Sequence, residues 1–225
     1  MDESTLADLC VVAIDGPAGS GKSTVARRLA DRLGLDYLDT GAMYRAVAFA
    51  AIQRGVDPVD EEPVAELARN MDLVVADGRV RVDGFDASVE IRGPEVSRAV
   101  SVVAANPGVR EELRTRQRVW AIERGGGVIE GRDIGSVVFP DAVLKVYLTA
   151  DPEERARRRA QEMTELDYDE VAADIARRDA ADQGRGDSPL VEAPDSVVFD
   201  TTGIEVDEVV ERLAAMVREK MDRRR

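Results

Sequence analysis

At 225 residues the chain exceeds the roughly 100 to 150 residues of a common domain, so one large core with inserted lobes is expected rather than two independent domains. Its 44% hydrophobic and 34% charged residues are globular, no apolar run approaches the ~20 residues of a membrane span, and the polar start MDESTLAD lacks a basic signal-peptide region. A soluble, cytoplasmic chain is expected, and its 31 basic against 45 acidic residues, net charge −14, argue against a general nucleic-acid binder.

Any phosphate site must therefore be a local basic pocket. Only Lys22, Lys145 and Lys220 are lysine; the other basic residues are arginine, the side chain suited to bidentate phosphate contacts. Histidine is absent, which removes Ser-His-Asp and His-metal chemistry but leaves phosphoryl transfer, a matter of positioning and electrostatics. The single cysteine, Cys10, can form neither an internal disulfide nor a zinc cluster, and buried apolar filler is its expected role.

In chain order, Val11 to Ile14 is the first expected strand. GPAGSGKS, Gly16 to Ser23, then has the glycine, four residues, glycine, lysine, serine spacing of a phosphate-binding loop, and it leads into a helix over Lys22 to Arg32 ended by Gly34. Glycines 16, 19 and 21 let backbone N–H groups close around phosphates, the helix N-terminus adds partial positive charge, Lys22 can reach the β/γ-phosphates, and the Ser23 hydroxyl can bind Mg²⁺. Leu35 to Leu38 reads as a second strand, Gly41 to Arg54 as a helix stopped by Gly55, and 63 to 70 as another helix. In LVVADGRVRVDGFDASVEI, residues 73 to 91, apolar positions of period two are broken by Asp77-Gly78 and Asp83-Gly84, predicting consecutive hairpins in a small antiparallel lobe. Helices near 94 to 104 and 107 to 124 lead to a core strand at Val128 and Ile129. Val143 to Leu148 and Val197 to Phe199 complete about five parallel strands flanked by helices, an α/β, P-loop NTPase-type core. The arginine-dense stretch 152 to 180 is expected to be helical, and an amphipathic helix from about Val206 to Arg218 closes the chain.

Ligands of such sheets bind beyond the carboxyl ends of the strands, which here carry the phosphate loop, DTGAMYR (39 to 45), EGRDIG (130 to 135) and TADPEERARRR (149 to 159). Arg45, Arg132 and Tyr44 can surround a second anion beside a triphosphate; Tyr44 equally suits core packing, and the arginines a solvated surface. Asp39 suits either the orientation of Mg²⁺ waters or a helix N-cap.

IDGPAGSGKST, LDTGAMYR, VREELRTRQR, GRDIGSVVFPDA, EERARRR and RRDAADQGRGDSPL, in that order over residues 11 to 203, resemble the bacterial cytidylate kinase family of nucleoside monophosphate kinases. The phosphate loop is shared with very many proteins; LDTGAMYR and GRDIGSVVFPDA are specific to this family. The resemblance implies transfer of the γ-phosphate of ATP, with Mg²⁺, to CMP or dCMP, by a monomer with no nucleic-acid or membrane partner. It implies one domain over 1–225, with core 9–62, 125–150 and 190–225, a monophosphate-binding insert 63–124 and a helical lid 151–189. Gly16, Pro17, Ala18, Gly19, Ser20, Gly21, Lys22, Ser23, Thr24 and Arg158 would hold ATP, with Ser23 and Asp39 at the metal. Arg45 and Arg132 would hold the CMP phosphate, Ser101, Arg110 and Asp133 the cytosine, and Thr40, Tyr44, Asp182 and Arg185 the rest of the nucleotide. Lys22, Arg132, Arg155, Arg159 and Arg178 would act on the transferring group. Another small-molecule kinase, of the adenylate, UMP/CMP or shikimate type, would share loop and lid but is not expected to carry the hairpin insert with GRDIGSVVFPDA. A GTPase-like switch would need an Asn-Lys-x-Asp motif, and none of the three lysines follows an asparagine.

Overall fold

The computed structural model describes Leu6 and residues 9–76, 78–162 and 167–224. Two compact units emerge, Met1–Tyr37 with Ala121–Arg225, and Leu38–Trp120.

The first unit is built on a sheet of order β2-β6-β1-β7-β8, with β2 (Tyr37–Asp39) the segment where the chain leaves this unit. β1 (Cys10–Asp15) is central because its Val11 to Ile14 run is apolar on both faces and is 1% exposed or less, as a strand covered by helices on both sides requires. It pairs in parallel with β6 (Gly126–Gly131) and with β7 (Leu144–Thr149), and β7 pairs in parallel with β8 (Val197–Asp200). α1 (Lys22–Leu33) buries Val25, Ala26, Leu29 and Ala30 along one stripe. The last helix, α8 (Val206–Arg224), lays Val209, Val210, Leu213, Ala214 and Val217 into the same core. Leu213 is fully buried there, so its truncation to alanine would cost about 2 to 5 kcal/mol.

α8 runs six residues beyond the expected Arg218. Its extension explains a departure at Cys10, which is half-buried rather than filler, with its thiol donating to Met221 Sδ at 3.6 Å. The stretch 152 to 180 is two helices, α6 (Pro152–Glu162) and α7 (Tyr168–Gln183). Among the described residues they share a small apolar cluster of Ala156, Val171 and Ile175, with Ala160 and Ala172 packed against it. Pro152 at the first turn, followed by Glu153 and Glu154, suits a helix start.

The second unit begins with α2 (Thr40–Gln53), apolar on nearly every face and buried accordingly. α3 (Glu61–Asn70) precedes an antiparallel sheet of β3 (Leu73–Ala76), β4 (Arg79–Val82) and β5 (Phe85–Asp86). Asp77, half of the first expected turn, lies outside the described residues. At the second, Asp83 (φ 51) and Gly84 (φ 81) are both left-handed, as a two-residue hairpin demands. Asp83 is held in this costly conformation by the Asp72 N–H at 3.0 Å and the Arg54 guanidinium at 2.5 Å. α4 (Pro94–Ala105) and α5 (Pro107–Arg124) follow, the latter capped by Asn106, whose Oδ1 accepts from Gly108 and Val109.

Candidate active site

The phosphate loop joins β1 to α1. Gly16 has φ 149, and a Cβ there would lie 2.0 Å from the Leu148 carbonyl oxygen, so β7 admits only glycine at this point. Gly19 has φ 75, and a Cβ would meet the Arg155 carbonyl oxygen at 2.8 Å. α1 opens at Gly21 with no side-chain cap, leaving its first N–H groups directed into the loop. Lys22 is 7% exposed and donates to Pro17 O at 2.6 Å. Burial, with Arg132 nearby, pulls its ammonium down to about 7, against the opposing Glu130, Asp182 and Asp15 carboxylates.

Ser23 donates to Glu130 Oε2 at 3.0 Å, and the other oxygen of Glu130 accepts from the Tyr37 hydroxyl. Glu130 is a buried acid at the carboxyl end of the strand beside β1, where P-loop proteins place a metal-associated carboxylate. In EGRDIG the motif points to Arg132 and Asp133, and Glu130 is marked in the sequence by its position at the end of a strand. Arg132, two residues on, donates Nε to Asp182 at 2.6 Å and Nη1 to Gly16 O at 3.0 Å. Asp182 also accepts from Arg185 and is buried between the two guanidiniums.

α6 and α7 bring further arginines to the loop. Arg155 donates to Ala18 O at 3.0 Å and to Asp179, whose other oxygen accepts from Ala18 N at 3.0 Å. Arg158 donates to Glu154 and, through both Nη atoms, to Thr201. Arg178 pairs with Asp174 at 2.9 Å. Its guanidinium is nonetheless pushed down by burial and by the like charges of Arg159, Arg132 and Arg177. Arg159, Arg132 and Arg177 thus lie near enough to Arg178 for their charges to repel it.

In the second unit Arg45 donates to Ile91 O at 3.1 Å and to Ser97 Oγ at 3.0 Å. Arg110, 1% exposed, lies 5.6 Å over the Tyr44 ring and donates to Ala104 O at 3.1 Å. Tyr44 thus packs in the core and stacks on an expected base-contacting arginine at once. Thr40 is buried at the head of α2, and Ser101 is half-buried on α4. Asp39 caps α2 by accepting from Ala42 N at 2.9 Å, the N-cap of its two readings.

A glycine-rich loop that turns from the central strand of a parallel sheet into a buried lysine and a free helix start defines a P-loop NTPase-type protein. The family description "Cytidylate kinase" matches residues 12–219. The chain belongs to the cytidylate kinase family. A cytidylate kinase of Desulfitobacterium hafniense is 48% identical over 218 residues, covering 94% of each chain. One from Caldanaerobacter subterraneus is 49% identical over 211 residues, covering 92% of this chain and 94% of the relative. A solved structure of an uncharacterized protein from Eubacterium ventriosum shares the fold, with a TM-score of 0.50 at 12% identity over 92% of this chain and 98% of that one.

Proposed function

We propose that the chain transfers the γ-phosphoryl group of ATP to a phosphate oxygen of CMP or dCMP, giving CDP or dCDP and ADP, as a monomer in the cytoplasm. The observation that carries this reading is the family match over nearly the whole chain, together with relatives near 48% identity that are cytidylate kinases. No described helix is long and apolar enough to cross a membrane.

In this reading Gly16 to Thr24 and Arg158 hold the triphosphate. Lys22 neutralises the β/γ-oxygens, and Arg132, Arg155, Arg159 and Arg178 take up the charge that spreads over the transferring group. Arg45 and Arg132 hold the acceptor phosphate. Ser101, Arg110 and Asp133 read the cytosine, whose N4 donor and N3/O2 acceptors complement a hydroxyl, a guanidinium and a carboxylate. Thr40, Tyr44, Asp182 and Arg185 line the remainder of the nucleotide.

Ser23 with Glu130 is a hard oxygen set suited to Mg²⁺, which takes one or two protein ligands together with substrate phosphates and waters. Among the described residues no cluster of three or more His, Cys, Asp or Glu forms a cage of its own. Such an ion would supply positive charge that offsets the charge of the phosphates. Ser23 would be the ligand that holds it, with Glu130, the acceptor of the Ser23 hydroxyl, beside it and Asp39 a further carboxylate proposed for its waters.

A coupled assay of ADP release against CMP, dCMP, UMP, AMP and shikimate tests the reading. The highest kcat/KM is expected for CMP and dCMP. Preference for AMP, UMP or shikimate would mean another small-molecule kinase, and ATP hydrolysis indifferent to every acceptor would mean a nucleotide-dependent switch.

A further inference from the structure

Asp15 closes β1 immediately before the phosphate loop, and no role given so far to loop, metal or base uses it. It is 4% exposed, yet both carboxylate oxygens are engaged: Oδ1 accepts from Ile134 N at 2.8 Å and Oδ2 from Gly135 N at 2.7 Å. Ile134 and Gly135 directly follow Arg132 and Asp133, where β6 ends and the chain tightens into a single wide turn, Ile134–Val138. That turn hangs on Asp133, whose carbonyl accepts from both Val137 and Val138. In the opposite direction, Arg132 donates to the carbonyl of Gly16. The start of the phosphate loop and the tip of β6 are therefore clasped reciprocally, carboxylate to backbone on one side and guanidinium to backbone on the other.

A buried carboxylate costs much more to desolvate than an amide or an apolar residue, and burial does push Asp15 up to about 6 against the pull of the two N–H groups. Two opposed charges already face it, Asp133 repelling and Lys22 attracting. A strand end that needed only packing would not place a carboxylate there. The gain is geometric, because hydrogen bonds from two consecutive N–H groups to one rigid carboxylate fix the orientation of two successive peptide units as a single bond does not.

We infer that Asp15 is a positioning residue: it sets the orientation of the Arg132–Asp133 tip relative to the phosphate loop, and through that tip the hold on the acceptor nucleotide. The inference rests on the reading of Arg132 and Asp133 as acceptor-binding residues. The phosphate loop itself does not depend on the clasp in the same way, since β1 is zipped to β6 and β7 on both sides and Gly16 is pressed against Leu148.

Asp15→Asn is nearly isosteric, but its one amide oxygen can serve only one of the two N–H groups while its NH₂ confronts the other. In the folded variant kcat/KM for CMP is expected to fall by roughly tenfold or more, with the KM for ATP within about twofold, the split expected when an acceptor-side contact is lost. The preference for CMP over UMP is expected to shrink, and the amides of Ile134 and Gly135 to exchange faster while those of β1 do not. Equal changes in the ATP and CMP constants with an unaltered CMP/UMP ratio would reduce Asp15 to a structural brace and overturn the inference. If Asp15→Asn does not fold, Asp15→Ser, which keeps one acceptor without the opposing NH₂, is judged by the same criteria. Asp133→Asn measured in parallel separates the two readings. If it leaves the CMP/UMP ratio unchanged, base recognition by Asp133 fails, and Asp15 is then decided by the CMP-against-ATP split and the two amides.

Discussion

Lys22 carries its charge at the edge of what burial allows, since desolvation and Arg132 pull its pKa down to about 7. Phosphate oxygens placed against the ammonium favour the protonated form, so ATP binding should drive proton uptake. Above pH 7 a part of the Lys22 population is neutral before binding and charged after it; the uptake should be present at pH 8 and vanish near pH 6. Calorimetry of ATP binding in buffers of different ionisation enthalpy reads this directly, and enthalpies independent of buffer at pH 8 would contradict it. Lys22→Ala should lower turnover at least ~100-fold, on the order of the 2.7 to 4 kcal/mol of one lost electrostatic stabiliser. Asp133 makes a sharper test, because a carboxylate that accepts from the cytosine N4 amino group repels O4 of uracil. Asp133→Asn should therefore narrow the CMP over UMP preference in kcat/KM by roughly 1 to 3 kcal/mol, whereas Arg132→Ala should weaken both monophosphates alike. The same loss for CMP and UMP in Asp133→Asn would mean that the residue braces the strand end without reading the base.

α6 and α7 are held by few apolar contacts and many charges. Apart from the cluster of Ala156, Val171 and Ile175, they rely on pairs such as Arg157 with Glu154 and Arg177 with Asp174, whose exposed guanidiniums contribute little. Their polar ties to the rest of the unit run from Arg155 and Asp179 to Ala18 in the loop, from Asp182 to Arg132, and from Arg158 to Thr201. Elements held in this way open at low cost and close when an anion joins their cations. Amides of α6 and α7 are expected among the faster-exchanging in the free protein, and to be protected when a bisubstrate analogue binds. Exchange unaltered by the analogue would remove the lid role.

Across the whole molecule, 45 acidic residues face 31 basic ones, many of which are already committed to carboxylates or backbone carbonyls. The excess repels itself through solvent, and salt shortens the range of that repulsion from about 30 Å at 0.01 M to a few ångströms at 1 M. The melting temperature should accordingly rise by about 2 to 4 °C between about 0.02 M and 0.5 M NaCl, as a stabilisation of about 1 kcal/mol would produce. A flat or falling profile in scanning calorimetry would show that the exposed ion pairs, weakened by the same salt, outweigh the net repulsion.

The sequence by itself determined what is made by neighbours along the chain. GPAGSGKS is legible because eight consecutive residues and their own backbone make the site, and β1, α1 and the Asp83-Gly84 turn because burial pattern and left-handed geometry are local demands. The continuation of α8 past Arg218 brings Met221 onto Cys10, a partner that periodicity does not name. Only the tertiary structure decided the pairing of Ser23 with Glu130, 107 residues away, and of Ala18 with Asp179, 161 residues away. Asp15 is the clearest case: in sequence it is one polar residue at the end of an apolar strand, and its partners Ile134 and Gly135 are 119 and 120 residues distant. The physical reason is that a hydrophobic pattern records which positions leave water. Which buried donor meets which buried acceptor is settled when the parallel sheet closes and brings the ends of β1 and β6 together.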